Sequence, residues 1–217
     1  MSPSSLIQID ALKPFGLTTE MMAGGITHAY GILDNIDANL GTETPYLVNL
    51  IELANFSSLL GNVLRDGIAK ASGGKFKRNR PHTYPDLLAA AKGCCDVEIK
   101  IALEDNKPKG HLAKPGPHLT FRYVLGGADG SYTPEKRGEV AWIWEARAGN
   151  LAIEHFNLSN TAGDSGKTAV INAQGLTQLR VVYCDLARCP YRKNGRLYQE
   201  YARLVAPPPS TLPAPPL

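Results

Sequence analysis

The sequence lacks the features that would place the protein in a membrane. It contains no run of about 18 apolar residues, which a transmembrane helix needs. Its opening stretch, MSPSSLIQID, has no basic segment followed by an apolar one, so a secretory signal is not expected. We therefore expect a protein without a membrane partner.

Cysteine is also scarce, with 4 residues in a chain of 217. Cys94 and Cys95 are adjacent, and Cys184 and Cys189 lie close together in the sequence. No second Cys/His pair follows either of them at the spacing of a zinc site. The sequence therefore predicts four reduced thiols and a cytoplasmic protein of the bacterial type.

Motifs for helicase, methyltransferase or ATP-dependent activity are missing as well. The string TAGDSGKT, at 161–168, looks like a phosphate-binding loop, but Thr161 stands where that motif requires glycine. We therefore expect a chain that acts without a nucleotide-driven motor. Any specificity must then come from its own loops.

The composition is that of a folded domain, with 43% hydrophobic and 20% charged residues, but the charge is unevenly distributed. Residues 1–64 carry a net charge of −5, residues 65–118 carry +5, and residues 119–217 carry +3. The length suits one large domain. The basic middle segment is compatible with binding to nucleic acid, as it is with an ordinary basic surface.

The N-terminal third is predicted to be helical. Residues 18–38 have the pattern of a helix that Thr18 or Thr19 could cap. Apolar residues recur at helical spacing over 45–71, as one bent helix or as two with a break near Ser57-Ser58.

Beyond residue 75 the apolar residues change from helical spacing to alternation. The sequence CDVEIKIALED, at 95–105, places Val97, Ile99 and Ile101 on one face of a strand and Glu98 and Lys100 on the other. The remaining predictions are a strand at 119–127, two strands over 139–160 that turn at Gly149-Asn150, a short helix over 167–179, a strand at 180–185, and an extended proline-rich tail at 206–217.

Helices followed by a sheet with an inserted helix indicate an α/β or α+β fold. We expect a single domain over 1–205. Its helical part would end at about residue 74, and its sheet part would cover about 75–205.

The stretch PDLLAAAKGCCDVEIK, at 85–100, carries the strongest chemical signal. Glu98 and Lys100 are two apart on one strand, so they point the same way. Asp86 lies far enough upstream for a strand and a turn at Lys92-Gly93 to bring it back beside Glu98. Two facing carboxylates repel each other unless a positive charge lies between them. A hard divalent cation such as Mg²⁺ would suit these oxygens and could activate water for attack at phosphorus.

This pattern of Pro85-Asp86 followed by Glu98-Ile99-Lys100 resembles the signature of the PD-(D/E)XK nucleases, a superfamily that includes many type II restriction endonucleases. The resemblance implies a mixed sheet flanked by helices as a restriction-endonuclease-like core. It also implies a Mg²⁺ ion bound by Asp86 and Glu98, with Lys100 next to the scissile phosphate. An additional helical acid often joins this site in the superfamily, and Glu52 and Asp66 are the candidates here.

Two basic loops surround the same stretch, KFKRNRPH at 75–82 and NKPKGHLAKPGPH at 106–118. Lysine and arginine on such loops give affinity for phosphates that does not depend on sequence. The second loop directly follows the strand of Glu98, so it could also reach base edges. We predict DNA contacts from Lys75, Lys77, Arg78, Arg80, Lys107, Lys109, His111, Lys114 and His118.

The sequence thus predicts a Mg²⁺-dependent endodeoxyribonuclease that cleaves double-stranded DNA at a specific site, as a type II restriction enzyme does. A palindromic site would require a homodimer, with one active site for each strand. Two alternatives stay open. One is a repair or recombination nuclease of the same fold that acts on branched or damaged DNA. The other is a non-catalytic, basic DNA-binding module in which Asp86, Glu98 and Lys100 are surface residues.

Overall fold

The computed structural model describes residues 6–41, 46–80, 83–159 and 168–206. These ranges leave out most of the phosphate-loop-like string at 161–168 and the proline-rich tail beyond Ala206. Within them, helices and mixed and antiparallel sheets form an α+β architecture with N-terminal helices, which confirms the predicted fold class. None of the described helices is both long enough and apolar enough to cross a membrane.

Helix α1 spans Thr19–Asn39 and follows a 3-10 helix at Ile9–Phe15. Of the two predicted caps, Thr18 is the one that caps the helix: its side-chain oxygen accepts a hydrogen bond from the N–H of Met21 at 3.3 Å. This bond satisfies one of the N–H groups that have no partner within the first helical turn. Met22 and other apolar residues of α1 are buried in the main core.

Helix α2 spans Leu53–Ala71 and packs against α1 and the central sheet. The predicted 45–71 helix is interrupted, but the break separates a 3-10 turn at Leu47–Asn49 from α2 and does not fall near Ser57-Ser58. The hydroxyl of Ser57 donates to the Leu53 carbonyl at 2.9 Å. The serine is therefore satisfied within the helix and does not end it.

The strands are, in chain order, β1 (Phe76–Arg78), β2 (Leu87–Ala89), β3 (Glu98–Leu103), β4 (Lys109–Gly110), β5 (Gly116–Gly126), β6 (Val140–Leu151), β7 (Phe156–Ser159), β8 (Thr168–Ile171) and β9 (Arg180–Cys184). The central sheet has the order β3-β5-β6-β9, in which β3 runs parallel to β5 and the other pairs are antiparallel. Strands β1 and β2 form a separate antiparallel pair, and β4, β8 and β7 form a third, antiparallel sheet. Two short helices, α3 (Ala173–Gln178) and α4 (Arg196–Val205), precede and follow β9.

Two details of the predicted sheet are wrong. Gly149-Asn150 lies within β6 and forms no turn. A β-carbon on Gly149 would come within 2.3 Å of the Gln178 carbonyl oxygen, so a close backbone approach explains this glycine. The region 167–179 is not one helix, because β8 ends before Asn172, whose side chain accepts the N–H of Gly175 at 2.8 Å and caps α3.

The central sheet is buried on both faces. One face packs through Leu119 and its neighbours against α1 and α2, and on the other Trp144 packs against Tyr201 of α4. The polar face of β3 is therefore covered as well, and Glu98 on it is only 1% exposed. The segment between β4 and β5 contributes Lys114, which contacts Glu98.

Glycine sets the distance between α1 and α2. A β-carbon on Gly67 would come within 2.9 Å of the Gly25 Cα and 2.7 Å of the His28 Cβ. The two helix backbones can approach this closely only while both positions lack a side chain. Because α2 also packs on the sheet, this contact helps to fix the part of the fold that carries the candidate site described below.

We predict that Gly67→Ala lowers the free energy of unfolding by about 1–3 kcal/mol, because the added methyl group overpacks the α1–α2 contact. Gly31→Ala, in α1, is the matched control: its added β-carbon would meet no atom within 4 Å. The control should be neutral or stabilise the protein by up to about 1 kcal/mol, because alanine is the better helix former. Urea unfolding measures both variants, and equal stabilities would contradict the packing argument.

Candidate active site

The turn after β2 returns the chain to the start of β3, as predicted. Leu87 and Val97 exchange both backbone hydrogen bonds, at 3.0 and 2.9 Å, and Gly93 has a positive φ in the intervening turn. Asp86 directly precedes this bridge, and its Oδ2 accepts the N–H of Ile99 at 2.8 Å. The Asp86 carboxylate is therefore held against the backbone between Glu98 and Lys100.

Glu98 lies between two ammonium groups. Its Oε1 accepts hydrogen bonds from Lys100 and from Lys114, the latter at 3.0 Å. The Lys114 ammonium also lies 4.9 Å from the centre of the Tyr84 ring, and the Tyr84 hydroxyl donates to the Pro115 carbonyl at 2.6 Å. Lys114, predicted as a DNA contact, thus belongs to the same cluster as Asp86, Glu98 and Lys100.

Arg65 of α2 completes the cluster, and the sequence analysis missed it. Its Nη1 donates to Asp86 Oδ1 at 2.7 Å, and the two side chains are 9% and 16% exposed. A cation next to the buried Leu64 on an amphipathic helix is a signal that could have identified it, since such a charge requires a partner. The α2 side chain that contacts Asp86 is thus a cation and not the acid that was expected.

Neither of the two acids that were candidates to join the site is part of the cluster. Glu52 is exposed and precedes α2, 13 residues and therefore about 20 Å of helix from Arg65. The Asp66 carboxylate accepts a hydrogen bond from His28 of α1 at 3.0 Å and forms an ion pair with Lys70 of α2 at 2.8 Å. These contacts lie between the two helices and do not involve Asp86. The expectation that Glu52 or Asp66 joins the site is therefore wrong: Glu52 is distant from Arg65 along the helix, and Asp66 is paired with other residues.

His118 lies beside Glu98 on the neighbouring parallel strand, where the two residues are register partners. Its ring is completely buried, and Nδ1–H donates to the Gly116 carbonyl at 2.9 Å. Burial lowers the pKa of His118 to about 4, so the ring is neutral at pH 7. The prediction that His118 contacts DNA is wrong for this geometry, because no part of its ring reaches the surface.

The charges of the cluster are close to balance. Arg65, Lys100 and Lys114 surround the carboxylates of Asp86 and Glu98, which leaves a formal net charge of +1. Burial and repulsion by Glu98 raise the pKa of Asp86, while the Ile99 N–H, Lys100 and Arg65 oppose that rise. A partly buried cluster with a cationic excess favours the approach of an anion such as a phosphate.

The predicted basic residues lie on segments that reach this cluster. Lys75, Lys77, Arg78 and Arg80 are exposed in and around β1, and the N–H of Asn79 donates to the Asp86 carbonyl at 3.0 Å. Lys107, Lys109 and His111 are exposed on the connection from β3 to β5. On that connection Gly110 lies against Lys100, since an added β-carbon would be 3.1 Å from the lysine Cε.

The carboxylates fit the way in which Mg²⁺ is bound, usually by one or two of them together with water. Glu98 Oε2 is buried and has no hydrogen-bond partner among the described residues, so one carboxylate oxygen is left for such an ion. Residues 6–41, 46–80, 83–159 and 168–206 contain no group of three or more His, Cys, Asp and Glu side chains arranged to hold a metal. Any metal here would therefore rely on few protein ligands.

A scan against models of known protein families finds no match to this chain, and a search of curated proteins finds none either. The function proposed below therefore rests on the signature formed by Asp86, Glu98 and Lys100 and on the geometry of the cluster.

We predict that Arg65→Met lowers the stability by about 3 kcal/mol at pH 7, because it leaves the Asp86 carboxylate buried without its cation. It should also raise the pKa of Asp86 further. A carboxyl whose pKa is higher in the folded than in the unfolded state loses stability as pH rises between the two values. The loss should thus be smaller at pH 4 than at pH 7.

Urea unfolding at both pH values, together with ¹³C NMR titration of the Asp86 carboxyl, measures this effect. Arg65→Lys keeps the positive charge and serves as the control. A loss for Arg65→Met that is equal at pH 4 and pH 7 would show that only packing had been removed.

Proposed function

We propose that this protein is a Mg²⁺-dependent endodeoxyribonuclease that cleaves double-stranded DNA at a specific sequence, in the manner of a type II restriction enzyme of the PD-(D/E)XK superfamily. One observation carries the proposal: the Asp86 carboxylate accepts the N–H of Ile99, the residue between Glu98 and Lys100. Residues that the nuclease signature brings together in function are thus adjacent in space, although Asp86 and Ile99 are 13 positions apart.

In this proposal Asp86 and Glu98 hold the metal ion, which would neutralise a phosphate oxygen and lower the pKa of a bound water. Arg65 keeps the Asp86 carboxylate ionised and in place. Lys100 stands beside Glu98, where its ammonium could orient the attacking water or stabilise the charge that develops on the phosphate. Lys114, paired with the same glutamate oxygen, could exchange that contact for a phosphate of the bound strand.

The exposed basic residues on either side of the cluster supply DNA affinity in the same proposal. Contacts from 75–80 and 107–111 would position the duplex, and base contacts from the second segment would add specificity. A homodimer would place two clusters on a palindromic site, one for each strand. We place this activity in the cytoplasm, where DNA and Mg²⁺ are both present.

A second candidate is a basic DNA-binding module without catalysis. It is favoured by the pairing of Glu98 with two lysines, because a carboxylate already neutralised and 1% exposed can serve as a structural ion pair. Mg²⁺ binding separates the two candidates. The module should bind duplex DNA equally with and without Mg²⁺, and it should not cut it.

We predict that the protein with Mg²⁺ cuts unmethylated phage DNA into discrete bands. Glu98→Gln and Lys100→Met should each reduce cleavage by at least about 100-fold while the protein stays folded, because each removes a charge that the transition state requires. Lys136→Ala is the control: Lys136 is exposed on the connection between β5 and β6, and this variant should cut normally. Full activity of Glu98→Gln would eliminate this site, and cutting confined to branched DNA would indicate a repair nuclease.

We also predict that replacing Lys77, Arg78 and Arg80 together by alanine weakens binding to specific and random duplexes by similar factors. Each lost phosphate contact lowers the slope of log affinity against log salt by about 0.9, so the triple variant should lose up to about 2.7. Lys13→Ala/Lys136→Ala is a control outside the basic segments. A variant that binds random DNA normally but has lost its preferred site would show that this loop reads bases.

A further inference from the structure

Two buried side-chain atoms on adjacent strands of the sheet have no hydrogen-bond partner among the described residues. They are Glu98 Oε2 on β3 and His118 Nε2 on β5. The two residues are register partners on adjacent parallel strands, so their side chains project from the same face. Glu98 is 1% exposed and His118 is not exposed at all.

Both atoms carry a lone pair that can accept a hydrogen bond or bind a cation. The His118 proton is on Nδ1, where it donates to the Gly116 carbonyl at 2.9 Å, so Nε2 presents a lone pair. Glu98 Oε2 is a carboxylate oxygen whose sister atom already accepts from two lysines. Leaving a buried acceptor without a partner costs about 1–3 kcal/mol. Two such acceptors on one face point to a shared partner that is a cation or a water molecule.

We propose that His118 Nε2 and Glu98 Oε2 are ligands of one divalent cation, with water or substrate oxygens in the remaining positions. This inference deepens the proposed nuclease function and rests on it for the role of the ion. In this site His118 takes the place that the proposed function gave to Asp86, whose two oxygens already accept from Ile99 and Arg65. The ion then has two side-chain ligands, which is consistent with the lack of a three-residue metal group in the described ranges. The Nδ1 bond to the Gly116 carbonyl fixes the tautomer and orients Nε2, as outer hydrogen bonds do for metal-bound histidines.

The imidazole changes which metal the site prefers. Mg²⁺ selects oxygen ligands, whereas imidazole nitrogen suits later transition metals, and affinity at such sites rises from Mn²⁺ to Co²⁺. The site should therefore bind Co²⁺ more tightly than Mn²⁺, and Mn²⁺ more tightly than Mg²⁺. Arg65, Lys100 and Lys114 lie around the same carboxylates, so a bound phosphate should strengthen metal binding by offsetting their charge.

The test is titration of the full chain with Co²⁺ alone and with Mg²⁺ alone, by calorimetry and, for Co²⁺, by visible absorption. His118→Asn is the informative variant, because its amide can still donate to the Gly116 carbonyl but lacks the Nε2 lone pair. It should weaken Co²⁺ binding by at least about tenfold, since even outer-shell partners of a ligating histidine are worth 10–100-fold. Mg²⁺ binding should change far less. His28→Asn removes a different imidazole and should leave both titrations unchanged.

A second measurement needs no variant. With ¹⁵N-labelled histidine, Mn²⁺ at substoichiometric amounts should broaden the imidazole signals of His118 before those of the other histidines. Equal Co²⁺ affinity in wild type and His118→Asn, a parallel loss for both metals, or no selective broadening would overturn the inference and leave a buried water as the shared partner.

These outcomes are separable from those of the nuclease test. If His118 binds Co²⁺ but no metal supports DNA cleavage, the proposed function fails and the metal site stands. If DNA is cleaved and His118→Asn binds metals as the wild type does, the function stands and this inference fails.

Discussion

The hydrogen bond from the Ile99 N–H to the Asp86 carboxylate ties together the elements that form the cluster. Through it the chain before β2 is fixed to β3, and through Arg65 the same carboxylate is tied to α2. An aspartate in this place must be ionised to accept both bonds well, yet burial and Glu98 raise its pKa. Nearby cations and a backbone N–H stabilise the ionised carboxylate. These interactions belong to one network, so the loss of any one of them weakens the others.

The cations have a second consequence for function. Lys100 and Lys114 both donate to Glu98 Oε1, so the charge of this carboxylate is already compensated by the protein's own side chains. A phosphate that enters would compete for the lysines, and a metal ion that enters would compete for the carboxylates. A bound phosphate would release the carboxylates from the lysines, and a bound metal ion would release the lysines from the carboxylates. Metal and phosphate should therefore bind cooperatively, each raising the affinity for the other by the same factor.

The sequence predicted those parts of the site that depend on local order. Alternation of apolar residues is a local property of a strand, and it correctly gave Glu98 and Lys100 a common direction in β3. It could not show that both faces of β3 are covered, because the cover comes from elements distant in the chain, the earlier helix α2 and the later segment that carries Lys114. Arg65 and Lys114 join the site over 21 and 16 residues, through helix packing and a returning loop that no local pattern encodes. The turn predicted at Gly149 was wrong for a related reason. Glycine is found both in turns and where two backbones approach closely, and only the position of the neighbouring chain distinguishes the two cases.

The parallel pairing of β3 and β5 has a consequence for how this protein could change over time. Parallel neighbours cannot be joined by a tight turn, so a longer connection must return the chain to the start of the next strand. Here the connection from β3 to β5 covers Glu98, and its strand β4 pairs with β8. Gly110 on this connection lies opposite Ala169, and the Pro108 carbonyl accepts the N–H of Ile171 at 3.0 Å. The cover of the site is thus anchored in a sheet to which the site itself does not belong. Substitutions in β8 can therefore shift the segment that covers Glu98 without altering any residue of the cluster, which gives evolution a way to vary this cover while the charged centre stays constant.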